Sequence, residues 1–268
     1  MRHILSLSGG KDSAALAVYL RDRVPDIEYV FCDTEKELPE TYEYLDRLEA
    51  YLGTRIVRLK HDGRDFDYWL GMYGGFLPSP QMRWCTKHLK LQPFERYVGD
   101  EAVCNYIGLR EDEDREGFIS KKRNIQCRYP FREDGITRAD VIAILDDAGL
   151  GLPEYYRWRS RSGCYFCFFQ QKIEWVGLLE NHPQYFVQAA AYETADKAAG
   201  DRFTWCNDES LEELSRPERV EQIRAHWHVR QVASGGDCGV RDCSRRSSRL
   251  ADVFEEDDDE QACLICTL

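Results

Sequence analysis

The most constraining feature of this sequence is the segment that follows its first apolar stretch. Residues 4–7 are the short, mainly apolar run ILSL, and residues 8–13 read SGGKDS. A strand that ends in two glycines and then opens a helix exposes backbone N–H groups and the positive end of a helix dipole at one point. Glycine lets a ligand approach the backbone closely, because it has no Cβ atom. The pattern therefore predicts a strand–loop–helix unit whose loop binds an anion, above all a phosphate.

The side chains of this loop favour the same interpretation. Lys11 adds a positive charge, and Ser8 and Ser13 add hydroxyl donors. Asp12 is placed either to orient Lys11 or to help hold a magnesium ion. The spacing is not that of the longer Walker loop, with its four-residue spacer. We predict catalytic roles for Lys11 and Asp12, and we assign these residues to nucleotide binding: Ser6, Ser8, Gly9, Gly10, Lys11, Asp12 and Ser13.

Strands and helices alternate along the first part of the chain. The pattern predicts strands at Ile4–Leu7, Ile27–Cys32, Arg55–Leu59 and Ala102–Gly108, with helices at Ser13–Arg23 and from about Pro39 onward. Such alternation predicts an α/β fold with a mostly parallel, Rossmann-like sheet and helices on both faces. Ligands of such sheets bind beyond the carboxyl ends of the strands. Because Asp33, Thr34, Gly108 and Arg110 follow predicted strands, we expect them to join the phosphate loop in one nucleotide site.

The second part of the chain has helical periodicity. Thr137 and Asp140 have the spacing of a capping box at the start of a helix that Gly149 ends, and a long helical segment is expected at about 172–199. We expect a nucleotide-binding domain at 1–160 and a helical metal- or cluster-binding region at 161–233. Residues 234–268, which contain an acidic run and several cysteines, are expected to form a flexible tail.

Composition restricts the classes of function. With 268 residues and 43% hydrophobic residues, the chain is long enough for one or two domains with a full core. No apolar run approaches the length of a membrane span, and no signal peptide is recognised, so we expect a cytoplasmic protein. The odd count of 11 cysteines indicates metal binding or sulfur chemistry rather than a disulfide framework. The net charge of −12 argues against broad electrostatic attachment to nucleic acid.

Three cysteines stand out by their spacing and neighbours. Cys164 and Cys167 are two residues apart, which lets two thiolates reach one metal centre. Cys85 has basic residues around it, and positive neighbours favour the thiolate. The alternating arginines at 157, 159 and 161 either line the path of an anionic substrate or form a solvated face. The same two-residue spacing recurs at Cys263 and Cys266.

Several motifs together resemble a known family, the phosphoadenosine phosphosulfate reductase family of the PP-loop, or adenine nucleotide alpha hydrolase, superfamily. The motifs that carry the resemblance are residues 8–13, 31–34 with Glu40 and Thr41, 83–85 with Lys90 and Pro93, 108–113, and 163–167. They cover roughly residues 1–180. The resemblance implies a Rossmann-like sheet that binds ATP and Mg²⁺ across its strand ends. The intact loop is similar to that of members that split ATP into AMP and pyrophosphate, whereas the loop of the reductases is commonly degenerate.

The resemblance also implies an iron–sulfur cluster of the 4Fe-4S type. Cys85, Cys164 and Cys167 would supply three thiolates, with Cys206 as the candidate for a fourth and Cys127 next. A cluster with three protein ligands and an open iron site is the alternative, and zinc is the alternative metal. The tail segment around Cys238 loosely resembles the catalytic tail of the reductases, which makes Cys238 a candidate nucleophile.

Three functions remain open at this point. The first is an enzyme that adenylylates a substrate and transfers sulfur with help from a cluster, as in nucleic-acid thiolation. The second is a sulfonucleotide reductase that makes sulfite. The third is a module of a modification or defence system that senses a nucleotide without turnover. The expected partners are an adenine nucleotide and, for the first function, a nucleic-acid acceptor or a sulfur-donor protein such as a cysteine desulfurase, with no membrane; a homodimer remains open.

Overall fold

The computed structural model describes residues 1–114, 122–196 and 201–233. Its centre is a five-stranded, wholly parallel sheet with the order β3-β2-β1-β4-β5. The strands are β1 (Arg2–Leu7), β2 (Ile27–Cys32), β3 (Ile56–Leu59), β4 (Val103–Tyr106) and β5 (Ile125–Arg128). The predicted α/β fold with a parallel sheet is confirmed. The sequence patterns missed β5, because its four residues alternate apolar and polar side chains at an edge of the sheet.

The strand order places a reversal of direction beside β1. The chain first proceeds from β1 outward to β2 and β3, and then returns to the other side of β1 for β4 and β5. Loops that leave adjacent strands in opposite directions open a crevice at such a point, and nucleotides bind there. The crevice in this sheet lies between the loops that follow β1 and β4.

Helices flank the sheet along the first half of the chain. They are α1 (Lys11–Leu20), α2 (Pro39–Leu52), α3 (Phe66–Met72), α4 (Trp84–Thr86) and α5 (Gln92–Val98), with a π-helical turn at Lys87–Leu91 that joins the last two. Pro39 is the first residue of α2, as predicted, since proline has no N–H to lose there. Gly53 ends that helix in the left-handed conformation, at φ 65°.

The later helices are shorter than the sequence pattern indicates. They are α6 (Pro130–Glu133), α7 (Arg138–Asp147), α8 (Lys172–Asn181), α9 (Pro183–Ala191), α10 (Leu211–Leu214) and α11 (Pro217–Ala233), with a 3-10 turn at Glu154–Arg157 and a small hairpin of β6 (Thr194–Asp196) and β7 (Asp201–Phe203). The predicted capping box of α7 is present. The continuous helix expected at 172–199 is wrong: Pro183 lacks the N–H that would continue α8, so a second helix begins there.

Buried side chains form separate clusters on the two sides of the sheet and in the C-terminal part. One cluster lies between the sheet and α1, α2 and α7, and a smaller one lies on the face covered by α5. A third cluster is built mainly from residues 155–223, around Trp175 and Trp205, and it also takes in Phe66 and Trp84. Among the described residues, the helices are all too short or too polar to cross a bilayer.

Candidate functional site

The phosphate loop has the conformation that its sequence predicts. Gly9 has a φ of +75°, and a Cβ at this position would lie 2.5 Å from Cγ2 of Thr41, so only glycine fits. Gly10 precedes the first residue of α1, Lys11. The Ser13 hydroxyl accepts a hydrogen bond from the Ser8 backbone N–H at 3.1 Å and donates one to the Gly10 carbonyl at 3.2 Å. The serines of the loop therefore make hydrogen bonds within it that help to fix its conformation after β1.

Three charged side chains at this loop form a chain of ion pairs. The Lys11 ammonium donates to Asp12 at 2.6 Å, and the Arg110 guanidinium donates to the other oxygen of Asp12 at 2.7 Å. Burial by itself would raise the pKa of Asp12, but Lys11 and Arg110 outweigh it and lower the pKa to about 2. Burial also lowers the pKa of Lys11, against the opposing effect of Asp12. Of the two roles predicted for Asp12, the geometry favours the orientation of Lys11.

The turn after β4 lies directly against this chain of ion pairs. A Cβ on Gly108 would lie 2.9 Å from the carbonyl oxygen of Asp12. Arg110 also pairs with Asp112 and Glu113, each at 2.8 Å. Both predicted residues therefore lie at the loop, where Gly108 allows close packing and Arg110 holds Asp12. Ser6 lies lower in β1, where its hydroxyl donates to Asn105 at 2.9 Å; it is buried and joins β1 to β4.

The loop after β2 connects the nucleotide side of the sheet with the cysteines. Asp33 accepts hydrogen bonds from the Tyr42 hydroxyl at 2.8 Å and from the Glu35 N–H at 2.9 Å. The Thr34 hydroxyl donates to Glu37 at 3.0 Å and lies 3.1 Å from the sulfur of Cys164. Two consecutive residues thus lie on the two sides: Asp33 is a predicted nucleotide-binding residue, and Thr34 contacts the predicted metal ligand Cys164.

Cys85, Cys164 and Cys167 line one narrow pocket of about 30 Å³. Thr34 and Lys90 share its wall with the aromatic side chains of residues 166, 168 and 169. Burial raises the pKa of Cys164 well above its usual range, with Glu37 adding to the effect, so without a metal this thiol is protonated. The fold therefore brings the three cysteines to one pocket, and their role as metal ligands stays a prediction.

Two further cysteines that the sequence offered as metal ligands, Cys206 and Cys127, do not line this pocket. Cys206 is buried in the C-terminal cluster, and Cys127 lies half-buried on β5. Cys238 lies outside the described residues, as do Cys263 and Cys266. Within the described ranges, no three His, Cys, Asp or Glu side chains are arranged to hold a metal ion.

A buried carboxylate adjoins the cysteine pocket. Glu37 is 5% exposed, and one of its oxygens accepts from Thr34 and lies 3.6 Å from the Cys164 sulfur. Its other oxygen, Oε2, is buried and has no hydrogen-bond partner among the described residues. A buried polar atom without a hydrogen-bond partner is costly, so Oε2 of Glu37 is a candidate contact for a bound group.

Sequence reasoning missed four residues of the segment before the cysteine pair. Tyr155, Tyr156 and Ser162 make hydrogen bonds with the phosphate loop. Arg159, 1% exposed, donates to the carbonyls of Gly163 and Cys164 at 2.9 and 2.8 Å. Neither sequence interpretation of the alternating arginines holds for Arg159. This residue supports the backbone of residues 163–167, which we call the cysteine loop. The hydroxyl residues beside the cysteine motif carry no signal of their own in a single sequence.

Comparison with known proteins matches the first half of this chain to a family. Residues 2–132 match the model of the phosphoadenosine phosphosulfate reductase domain. Two uncharacterized proteins of Methanocaldococcus jannaschii are 27% and 32% identical to this chain over 68% and 61% of its length. The matches span only 45% and 35% of those two relatives.

A solved structure is similar in fold. The phosphoadenylyl-sulfate reductase of Candida auris, in a phosphate complex, is 16% identical, with a TM-score of 0.46 over 57% of this chain and 76% of that one. The family model and the phosphate loop agree with the resemblance drawn from the motifs. Residues 2–132, just under half of the chain, match the phosphoadenosine phosphosulfate reductase domain, which is the family that the motifs resemble.

Proposed function

We propose that this protein binds ATP, transfers AMP to an acceptor with release of pyrophosphate, and uses its cysteine pocket to deliver sulfur. The observation that carries the first part is the intact phosphate loop with Lys11 held by Asp12 at the start of α1. This arrangement places one ammonium group, the first N–H of a helix and two serine hydroxyls around one point. Such a set of donors is suited to the negative charge of a diphosphate.

The chemistry assigned to the loop is stabilisation of a leaving group. As the bond between the α- and β-phosphates of ATP breaks, negative charge accumulates on the departing pyrophosphate. Lys11 and the loop N–H groups would stabilise that charge, because the fold holds the backbone of the loop at the start of α1. Both oxygens of Asp12 are engaged by Lys11 and Arg110, so Mg²⁺ would enter with the phosphates of ATP rather than through Asp12.

The donor set of the cysteine pocket fits an iron–sulfur cluster. Three thiols share one pocket with aromatic walls, and Oε1 of Glu37 lies 3.6 Å from the Cys164 sulfur. Cys85, Cys164 and Cys167 would hold the cluster, which would supply an iron site for sulfide. The pocket would have to widen, since 30 Å³ accommodates about two water molecules. Of the alternatives for the fourth ligand, an open position agrees better with the pocket, because Cys206 does not line it.

The test of this function is pyrophosphate release from ATP. Wild type, Lys11→Ala and, as a control, Lys172→Ala are incubated with Mg-ATP and candidate acceptors, including tRNA and DNA, with sulfide or a cysteine desulfurase. We expect release with wild type and Lys172→Ala and a loss of 100-fold or more, a rough expectation for removing a charge at a leaving group, in Lys11→Ala. Absence of ATP binding by calorimetry in a folded wild-type protein would refute the proposal.

A second function is supported by the family itself, since its name comes from reductases that act on sulfonucleotides. In this case the enzyme would form sulfite, and Cys238 would be the attacking thiol. Sulfite formation from adenylyl sulfate and a thiol reductant, lost in Cys238→Ser but retained in Cys263→Ser, would favour the reductase over the adenylylating enzyme.

A further inference from the structure

Two tyrosines and a serine from a distant segment bind the phosphate loop. The Lys11 backbone N–H donates to the Tyr156 hydroxyl at 3.1 Å, and the Tyr155 hydroxyl donates to the Gly9 carbonyl at 2.8 Å. The Ser162 hydroxyl donates to that of Ser8 at 3.3 Å. Tyr156 lies 145 residues from Lys11 in the sequence, so only the tertiary fold brings these groups together.

Two of these hydroxyls fill the space directly in front of the loop. A Cβ on Gly10 would lie 2.7 Å from the Ser162 hydroxyl and 3.2 Å from that of Tyr156. The Lys11 ammonium lies 5.7 Å from the centre of the Tyr156 ring. A phosphate that approached Gly10 and the first N–H of α1 would overlap with both oxygen atoms. The hydroxyls therefore occupy the position at which the loop would bind an anion.

The contact of Tyr156 also uses a donor that a phosphate needs. The Lys11 N–H is the first N–H of α1, which no residue of the helix itself can accept from. It carries one proton and makes one strong hydrogen bond. While the Tyr156 oxygen accepts this bond, the N–H is not available to a phosphate oxygen.

We propose that Tyr156 and Ser162 are residues of the diphosphate site, which hold its donors in the free protein and are displaced when a diphosphate binds. This inference rests on the proposed function, because it takes the loop as the pyrophosphate site. The cost of displacing the two hydroxyls lowers the apparent affinity for the ligand, as for any ligand that binds a minor conformation. Tyr155 differs, because it donates to a carbonyl, and a carbonyl does not bind a phosphate.

The test compares pyrophosphate binding to four proteins by calorimetry: wild type, Tyr156→Phe, Ser162→Ala and Tyr155→Phe. Tyr156→Phe should bind pyrophosphate about 2- to 10-fold more tightly, the effect of one net hydrogen bond that no longer competes. Ser162→Ala should also bind more tightly. Tyr155→Phe, the matched control, should bind no more tightly than wild type. Trp158 fluorescence should change on pyrophosphate binding in wild type, because its segment moves.

The outcomes separate this inference from the function on which it rests. If wild type binds pyrophosphate and both Tyr156→Phe and Ser162→Ala bind it equally or more weakly, the displacement is refuted while the site stands. If none of the folded proteins binds pyrophosphate or ATP, the proposed function fails as well. Circular dichroism shows whether each variant is folded. If Tyr156→Phe does not fold, Ser162→Ala, which removes a single hydroxyl, decides the test.

Discussion

At the scale of single residues, Gly108 shows how closely the site is packed. A Cβ there would lie 2.9 Å from the Asp12 carbonyl oxygen and 3.2 Å from the Ser13 nitrogen, which are backbone atoms of α1. Backbone cannot move aside as a flexible side chain can. We expect Gly108→Ala to lower the free energy of unfolding by about 1–3 kcal/mol, as overpacking does, and to weaken ATP binding.

Gly71 provides the control for this substitution. It lies inside α3, and a Cβ there would have no neighbour within 4 Å. Gly71→Ala should raise the free energy of unfolding by about 0.5–1 kcal/mol, because alanine favours the helix. Urea unfolding of Gly108→Ala and Gly71→Ala measures both changes in the free energy of unfolding. Equal effects of the two substitutions would contradict the close approach at Gly108.

The charge of Asp12 predicts a dependence of stability on pH. Its pKa is about 2 in the folded protein, below its usual 3.8. A carboxyl group whose pKa is lower in the folded than in the unfolded state stabilises the fold at pH values above the unfolded-state pKa. This stabilisation is lost as pH falls from about 4 to 2. The shift corresponds to about 2 kcal/mol. Asp12→Asn should therefore be less stable than wild type at pH 7, and the difference should shrink at pH 3.

Urea unfolding at the two pH values measures this difference. Asp22→Asn is the control, because the Asp22 side chain is 84% exposed and should show little change at either pH. A difference between wild type and Asp12→Asn that stays constant from pH 7 to pH 3 would show that the carboxylate charge does not stabilise the loop.

At the scale of structural elements, Arg159 holds the cysteine loop in place. It donates to the carbonyls of Gly163 and Cys164, and it is almost wholly buried. Arg159→Met would leave both carbonyls without these donors, at a cost of about 2–4 kcal/mol in the free energy of unfolding. Arg157→Met is the matched control, since the Arg157 side chain is 79% exposed and should change stability by less than about 0.5 kcal/mol.

Thermal unfolding of the two arginine variants provides the measurement. A melting temperature of Arg159→Met close to that of Arg157→Met would mean that the cysteine loop keeps its conformation without the guanidinium. In that case the hydrogen bonds of Arg159 would not account for the position of Cys164.

At the scale of the whole molecule, the three cysteines that line one pocket come from two distant segments. Cys85 lies in α4, ahead of β4, whereas Cys164 and Cys167 follow the 3-10 turn. We expect anaerobically reconstituted wild type to hold iron and sulfide, and Cys164→Ser to lose them. Cys206→Ser should keep the full content, because Cys206 does not line the pocket.

Iron, sulfide and zinc analyses of these variants measure the outcome. Stoichiometric zinc in place of iron in wild type would overturn the iron assignment. Retention of the metal in Cys164→Ser would refute the site, and its loss from a well-folded Cys206→Ser would restore Cys206 as a ligand.

Several features of this protein follow from local sequence alone. Residues 8–13 are recognisable because two glycines and the hydrogen bonds of Ser13 to Ser8 and Gly10 lie within five positions of the chain. The apolar runs at β1 and β2 are continuous because both faces of a parallel strand are buried, which made these strands recognisable. The four-residue β5, with one fully buried side chain, gives no comparable pattern.

Which residues lie together in one site could be known only from the tertiary structure. Cys206 is the candidate for a fourth ligand in the sequence, yet Cys85, Cys164 and Cys167 line the pocket and Cys206 does not. Likewise, nothing local indicates that Tyr156 and Ser162 bind the phosphate loop. The strand–loop–helix unit could be predicted from the sequence, because its glycines and serines are neighbours in the chain. Its contacts with Tyr156 and Ser162 could not, because contacts between segments more than 100 residues apart depend on how whole elements pack.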